Sequence, residues 1–261
     1  MAQPKNIVST SGLSIGYKTK KSVVAIAENL TFQFGESKLI TLIGANGIGK
    51  STLLRTLTGL QKPLSGDVFL NGKNIQEYSP SDLAQNLSMV LTEKLPPSNL
   101  SVFELVALGR QPYTNWIGKL APLDIEKIIR AIQLTEIEHL AEKKHHEISD
   151  GQLQKVLIAR ALAQDTPLII LDEPTTHLDL LHKVSLFKLL KKLTEETGKC
   201  ILFSTHDIDL AIQLSDEMVV MTQEKVVQGQ PCNLIEQGVF NALFQDENIV
   251  FDSQKGKFLF K

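Results

Sequence analysis

No stretch of this chain is long and apolar enough to cross a bilayer as a helix. Its longest run without Asp, Glu, Lys or Arg is Asn6 to Tyr17, 12 residues rich in Ser, Thr and Gly, whereas a span needs about 18 or more mostly apolar residues. A basic-then-apolar secretory signal is also missing from the N-terminus. Cysteine is scarce: Cys200 and Cys232 are the two, and without CxxC spacing they argue against a disulfide framework or a zinc site. Neither sign of charge prevails, with 27 Lys plus Arg against 29 Asp plus Glu. A chain that works mainly by holding nucleic-acid phosphates carries a basic surplus, so nucleic acid is not an expected partner. Repeats, low-complexity tracts and interdomain linkers are missing as well. What remains is an ordinary globular composition, 261 residues and 43% hydrophobic, enough for a sizeable core. The expectation is a soluble cytoplasmic protein.

Strand-like and helix-like patterns alternate along the chain, which points to an α/β protein. Lys38 to Ile43, Leu168 to Leu171 and Ile201 to Phe203 are short runs too apolar for half-exposed strands, so they read as central strands covered on both faces. Between them Ile125, Ile128, Ile129 and Ile132 recur at i, i+3, i+4 and i+7, as do Leu186, Leu189, Leu190 and Leu193. Helix starts are marked by Pro80 after Ser79 and by the capping-box pattern Ser101 to Glu104. Residues 92–164 carry helical signals and no strong strand. The simplest organisation is one domain: a core from 1–91 and 165–225, a helical insertion over 92–164, and a tail over 226–261. In that tail Ile249 to Phe251 and Phe258 to Phe260 suggest a small hairpin.

The first apolar run leads into Gly44-Ala-Asn46-Gly47-Ile-Gly49-Lys50-Ser51-Thr52. This is G-x-x-x-x-G-K-[ST] with a strand before it and a helix-compatible stretch, Lys50 to Leu60, after it. Glycines let successive N–H groups turn inward as a nest for anionic oxygens, and the helix N-terminus adds its positive end. Lys50 supplies charge to the β- and γ-phosphates, Ser51 a hydroxyl for Mg²⁺, and Thr52 a further phosphate contact. The second run ends in Asp172-Glu173, two carboxylates where open α/β sheets bind ligands. Neighbouring strand residues point to opposite sides, so one carboxylate is expected towards Mg²⁺ and the other towards the attacking water.

Ile148-Ser149-Asp150-Gly151-Gln152, at the start of a helix, resembles the LSGGQ signature of the ATP-binding cassette (ABC) ATPases. Thr175 to Asp179 resembles that family's D-loop, Ser204-Thr205-His206-Asp207 its switch histidine, and Tyr17 the aromatic that stacks on adenine. The match runs from about Leu13 to Gly229 in the family's order. It implies a P-loop NTPase core sheet with an inserted helical signature subdomain. It also implies a homodimer that traps two ATP, each between one copy's phosphate loop and the other copy's Ser149, Gly151 and Gln152. Glu173 would be the general base and His206 a γ-phosphate contact. Asp172 would hold Mg²⁺ with Ser51, and Asp179 would link the two sites.

Two positions depart from the family pattern. Thr92 stands where a glutamine reaching Mg²⁺ is usual, so either Thr92 binds the ion through water, or Glu93 substitutes, or the contact is missing. Asp150 replaces a glycine and must point away from phosphate or cap its helix. Leu105-Val-Ala-Leu-Gly109-Arg110-Gln-Pro112-Tyr113 is similar to the ATPases of iron–siderophore, haem or cobalamin-type importers. The resemblance implies a peripheral subunit on the cytoplasmic face of the membrane. Its partners would be an integral membrane permease and, indirectly, a periplasmic or lipid-anchored substrate-binding protein. Alternatives are the ATPase of another transporter class, or a soluble cassette ATPase acting on nucleic acid or ribosomes. His145-His146 read as exposed loop residues, Lys188, Lys191 and Lys192 as a solvated helix face, and Trp116 either lines a permease groove or anchors the helical subdomain.

Overall fold

The computed structural model describes residues 5–19, 22–91, 98–176, 178–243, 249–253 and 255–260. The elements follow in the order β1 (Asn6–Lys18), β2 (Val23–Leu30), β3 (Gln33–Gly35), β4 (Leu39–Gly44), α1 (Lys50–Leu57), β5 (Ser65–Leu70) and β6 (Lys73–Asn74). Next come α2 (Pro80–Ala84), β7 (Leu87–Val90), α3 (Val102–Ala107), α4 (Pro122–Leu134), α5 (Asp150–Ala163) and β8 (Leu168–Leu171). The chain continues through α6 (Leu180–Thr197), β9 (Cys200–Ser204), α7 (Ile208–Leu214), β10 (Glu217–Met221), β11 (Val226–Gly229), α8 (Pro231–Glu236), β12 (Ile249–Asp252) and β13 (Lys257–Phe260).

The central sheet runs β11-β10-β4-β9-β8-β7. It is parallel from β10 to β7, with β11 antiparallel at one edge. Its inner strands are apolar on both faces because both faces are covered. Ile40, Leu42, Leu168, Ile170 and Leu202 pack with α1 and the strands of a second sheet, whereas Leu39, Ile43, Ile169, Leu171, Ile201 and Phe203 pack against the helices. That second sheet, β2-β1-β5-β6 with β3 paired to β1, is antiparallel, and the sequence reading did not separate it from the core. The 226–229 segment, read above as the start of a tail, is the β11 edge of the central sheet. The expected terminal hairpin is there as β12–β13, with Phe251 against Phe240 and Phe258.

Helix starts follow the capping chemistry. The Ser79 hydroxyl accepts from the Asp82 N–H ahead of Pro80, and Ser101 and Glu104 make a reciprocal capping box. In α6 all four periodic leucines, Leu186, Leu189, Leu190 and Leu193, are buried. In α4 only Ile128 and Ile132 are; Ile125 and Ile129 face outward. Lys191 is no solvated lysine: it binds Asp216 at 2.5 Å, and the other Asp216 oxygen accepts from the Leu39 N–H. His145 is half-buried, its Nδ1 shielded, while His146 is exposed as expected.

Candidate nucleotide site

The loop after β4 is shaped by close backbone approach. A Cβ on Gly44 would lie 2.8 Å from the Met221 carbonyl oxygen, and Gly49 is left-handed at φ 113 with Ile26 2.3 Å from its would-be Cβ. Gly47 is also left-handed, at φ 76, and is exposed beside Asn46. Only glycine meets these demands without strain. Lys50, the first residue of α1, is buried, and its ammonium donates to the carbonyls of Gly44 at 2.9 Å and Ala45 at 3.3 Å. The Glu173 carboxylate lies 4.0 Å from it. Burial pulls the Lys50 ammonium below the usual lysine range, opposed by Glu173 and Asp172. Ser51 is exposed at the same helix start. Thr52 is buried and shares a 2.8 Å hydrogen bond with the half-exposed Tyr17 hydroxyl, so its own hydroxyl is engaged with Tyr17.

The two carboxylates do not divide by strand alternation, because β8 stops at Leu171. Asp172 and Glu173 lie in the turn beyond it, with Glu173 left-handed at φ 47, a conformation that costs a non-glycine residue about 1–2 kcal/mol. That turn brings both carboxylates to Lys50. Glu173 Oε1 meets His206 Nε2 at 2.7 Å, joining the base and the switch histidine of the sequence reading. Ser204, unassigned by that reading, bridges the acids: its hydroxyl donates to Asp172 Oδ1 at 2.7 Å and accepts from the Glu173 N–H at 2.8 Å. Its role comes from the pairing of β8 with β9, which matches Leu171 with Phe203 and so sets Ser204 beside Asp172. Thr175 and Lys183 fix Asp207 at 2.8 and 2.7 Å, holding the segment that carries His206.

The signature residues sit elsewhere. Ser149 is the N-cap of α5, accepting from the Gln152 N–H while the Gln152 side chain accepts from the Ser149 N–H. Asp150 is therefore not the cap; it is the exposed first helical residue, where a carboxylate suits the helix dipole. Gly151 packs beside Leu178 and His182. Asp179 caps α6 and binds His182 Nδ1 at 2.8 Å, with both side chains exposed. Thr92 and Glu93 lie outside the described residues.

The Gly109-Arg110 stretch has a physical role of its own. Gly109 abuts α5 so closely that a Cβ would sit 2.2 Å from the Arg160 carbonyl oxygen. The buried Arg110 donates to Asp124 at 2.9 Å and to the Ala163 carbonyl at 2.8 Å, and lies 3.8 Å over the Tyr113 ring. Trp116 is 93% exposed, so it anchors nothing within the chain.

A glycine-lined phosphate nest after a central strand, a helix-start lysine and a paired acid and histidine at the neighbouring strand ends define a P-loop nucleoside triphosphatase. The family model for ABC transporters matches residues 27–176. The chain belongs to that family, as its ATP-binding, ATP-hydrolysing component. An ABC transporter ATP-binding protein of Methanocaldococcus jannaschii is 40% identical over 256 residues, 98% of this chain and 87% of the relative. The iron(3+)-hydroxamate import ATP-binding protein of Bacillus subtilis is 37% identical over 254 residues, 97% of this chain and 93% of that one. Among solved structures, an inward-facing ABC transporter ascribed to the metal-chelate type superposes with a TM-score of 0.79 at 26% identity, covering 97% of this chain and 95% of that one.

Proposed function

We propose that this chain powers uptake of a metal chelate, of the iron–siderophore, haem or cobalamin type, through a separate membrane permease, acting as a homodimer around two ATP. The observation that carries the dimer is the split of the site. Lys50, Asp172, Glu173 and His206 cluster at the central sheet, while the capped Ser149–Gln152 turn packs with Leu178 and His182 at the start of α6. A helix N-terminus with open N–H groups is an anion site; facing a second copy, it takes the γ-phosphate of ATP held by that copy's loop. Ser149 and Gly151 line that turn and Gln152 braces it. Asp179, exposed at the adjacent cap, is placed to reach across, and the half-exposed Tyr17 offers its ring to adenine.

Within this reading Glu173 takes the proton of the attacking water. His206, hydrogen-bonded to it, orients that carboxylate and reaches the γ-phosphate, and Lys50 holds charge developing on the phosphates. Ser51 and Asp172 are the hard oxygen donors for Mg²⁺, a cation that takes one or two carboxylates and otherwise phosphate oxygens. When bound, Mg²⁺ screens the phosphate charge. The chelate class rests on the likeness to the iron(3+)-hydroxamate import protein. No described helix is long and apolar enough to cross a membrane; the exposed Leu108, Trp116 and Ile117, beside an apolar groove of about 240 Å³ lined by Leu100, Ala107, Leu108 and Leu120, support a permease contact on this face. The working place is then the cytoplasmic membrane face, with the substrate-binding protein met only through the permease.

Glu173→Gln tests the site. Turnover falls by about 10²–10⁴, the usual worth of a positioned general base, and ATP-locked dimers accumulate in sedimentation. Unchanged turnover, or ATP binding without dimers, refutes the clamp. Isolation of the membrane complex, with turnover stimulated by a chelate-loaded binding protein, tests the transport class; recovery on ribosomes or nucleic acid instead refutes it.

A further inference from the structure

The far end of α5 is pinned to its surroundings more heavily than its Ser149 end. Gln164 donates to the carbonyls of Ala84 at 2.6 Å and Leu87 at 2.9 Å. Asp165 is gripped by Lys127 of α4 at 2.8 Å and by Lys199, just before β9, at 2.9 Å. Arg110 takes the last carbonyl of α5, that of Ala163, and at the same time Asp124, whose second oxygen accepts from the Ala121 N–H at the start of α4. Its guanidinium plane also carries the Tyr113 ring. Gly109 leaves no slack between this loop and α5. A planar guanidinium can serve a carboxylate, a carbonyl and an aromatic face at once, whereas a lysine ammonium cannot stack in this way.

We infer that Arg110 is a positioning residue that couples the following loop from Gln111 to Ile117, exposed at Trp116 and Ile117, to the phosphate-facing turn at the opposite end of α5. The loop cannot shift without carrying Tyr113, and Tyr113 rests on a side chain bonded to α5 itself. The 14 residues of α5 make a rigid rod about 21 Å long at 1.5 Å per residue, so a tilt about its pinned end is delivered at Ser149. Coupling of this kind is reciprocal: engagement of ATP at the Ser149 turn must alter the loop. The inference rests on the clamp reading, in which that turn takes phosphate from a second copy.

Trp116, the one tryptophan of the chain, stands in this loop and reports on it without any permease. In the full chain carrying Glu173→Gln, with ATP and Mg²⁺ as probe, dimer formation is followed by sedimentation and Trp116 by its emission and iodide quenching. With Arg110 present, ATP shifts the Trp116 signal as dimers form. In Arg110→Gln the shift is lost while dimers still form. Arg110→Lys, which keeps the charge opposite Asp124 but loses the stack, also loses the shift. Tyr113→Leu leaves Arg110, Asp124 and Ala163 joined, and loss of the shift there, with an unchanged melting temperature, separates linkage from folding; it decides the matter if Arg110→Gln does not fold. Dimers that form with no Trp116 shift, or with the same shift in Arg110→Gln and Tyr113→Leu, overturn the inference. Absence of dimers in the Glu173→Gln chain overturns the clamp reading itself and the inference with it.

Discussion

Gly109→Ala puts a single methyl against backbone that cannot step aside. The new Cβ lies 2.2 Å from the Arg160 carbonyl oxygen, 3.2 Å from that carbonyl carbon and 3.3 Å from Ala163 Cβ, whereas ordinary contact begins near 3.4 Å. The loop and α5 must part by more than 1 Å, and the atom in the way is main chain inside a helix, not the end of a flexible side chain. Overpacking costs about 1–3 kcal/mol, and two backbone segments locked by Arg110 place this site at the upper end. Alanine returns about 0.4–1 kcal/mol by restricting the unfolded chain, since Gly109 does not hold a left-handed angle. The net loss is about 2 kcal/mol, or about 4–8 °C in melting temperature for a chain of this size. Urea and thermal unfolding measure it, with Gly35→Ala as control because its nearest neighbour is the Lys38 side chain at 3.9 Å. A Gly109→Ala protein melting within a degree of the parent, with an unchanged urea midpoint, refutes the reasoning.

Ser204→Ala removes the hydroxyl between Asp172 and Glu173 and leaves the Glu173 N–H without its partner; stability drops by about 1–3 kcal/mol, and turnover falls more than ATP affinity because the left-handed Glu173 backbone loses its tether. Equal losses in kcat and nucleotide Kd contradict that role. Acid stability follows from two carboxyls. The Ala121 N–H lowers the Asp124 carboxyl, burial opposes, and Arg110 lowers it further, so it titrates below its ordinary 3.8. At Asp165 burial raises the carboxyl, but Lys127 and Lys199 outweigh it and the net direction is again down. A folded-state value below the unfolded one means that the unfolded chain takes up protons first, so this stabilisation is complete above 3.8 and is lost as pH falls through the folded values. Melting temperature therefore holds from pH 7 to 5 and drops below 4. Asp165→Asn melts lower than the parent at pH 7, and the gap narrows in acid; a gap independent of pH removes Asp165 from this account.

The nucleotide site was legible where its chemistry is contiguous. The phosphate nest, its lysine and its helix start are consecutive residues, and so are the caps at Ser79 and Ser101, because each satisfies N–H groups two or three residues away. Whatever depends on residues distant in sequence was harder to read. The turn at Glu173 shows in no periodicity, and Ser204 acquires its role only from the pairing of β8 with β9. The antiparallel sheet escaped notice since β1 is a long strand of Ser, Thr and Gly whose register shifts break the alternation that marks a half-buried strand. Ile125 and Ile129 kept helical period yet face outward, as apolar surface is common and periodicity alone cannot say what covers it.

The strand order has a consequence for how the protein is made. β4, which carries the phosphate loop at its end, has as neighbours β9 and β10: Leu39 pairs with Ile201 and Ile40 with Glu217. Early in translation this apolar strand leaves the ribosome with neither flank available, and it stays so until nearly the whole polypeptide has emerged. Such non-local parallel pairing is slow to form and leaves sticky segments open to aggregation in the meantime. A ribosome stalled ahead of β9 would therefore hold a nascent chain unable to grip nucleotide, however complete its glycine-rich motif.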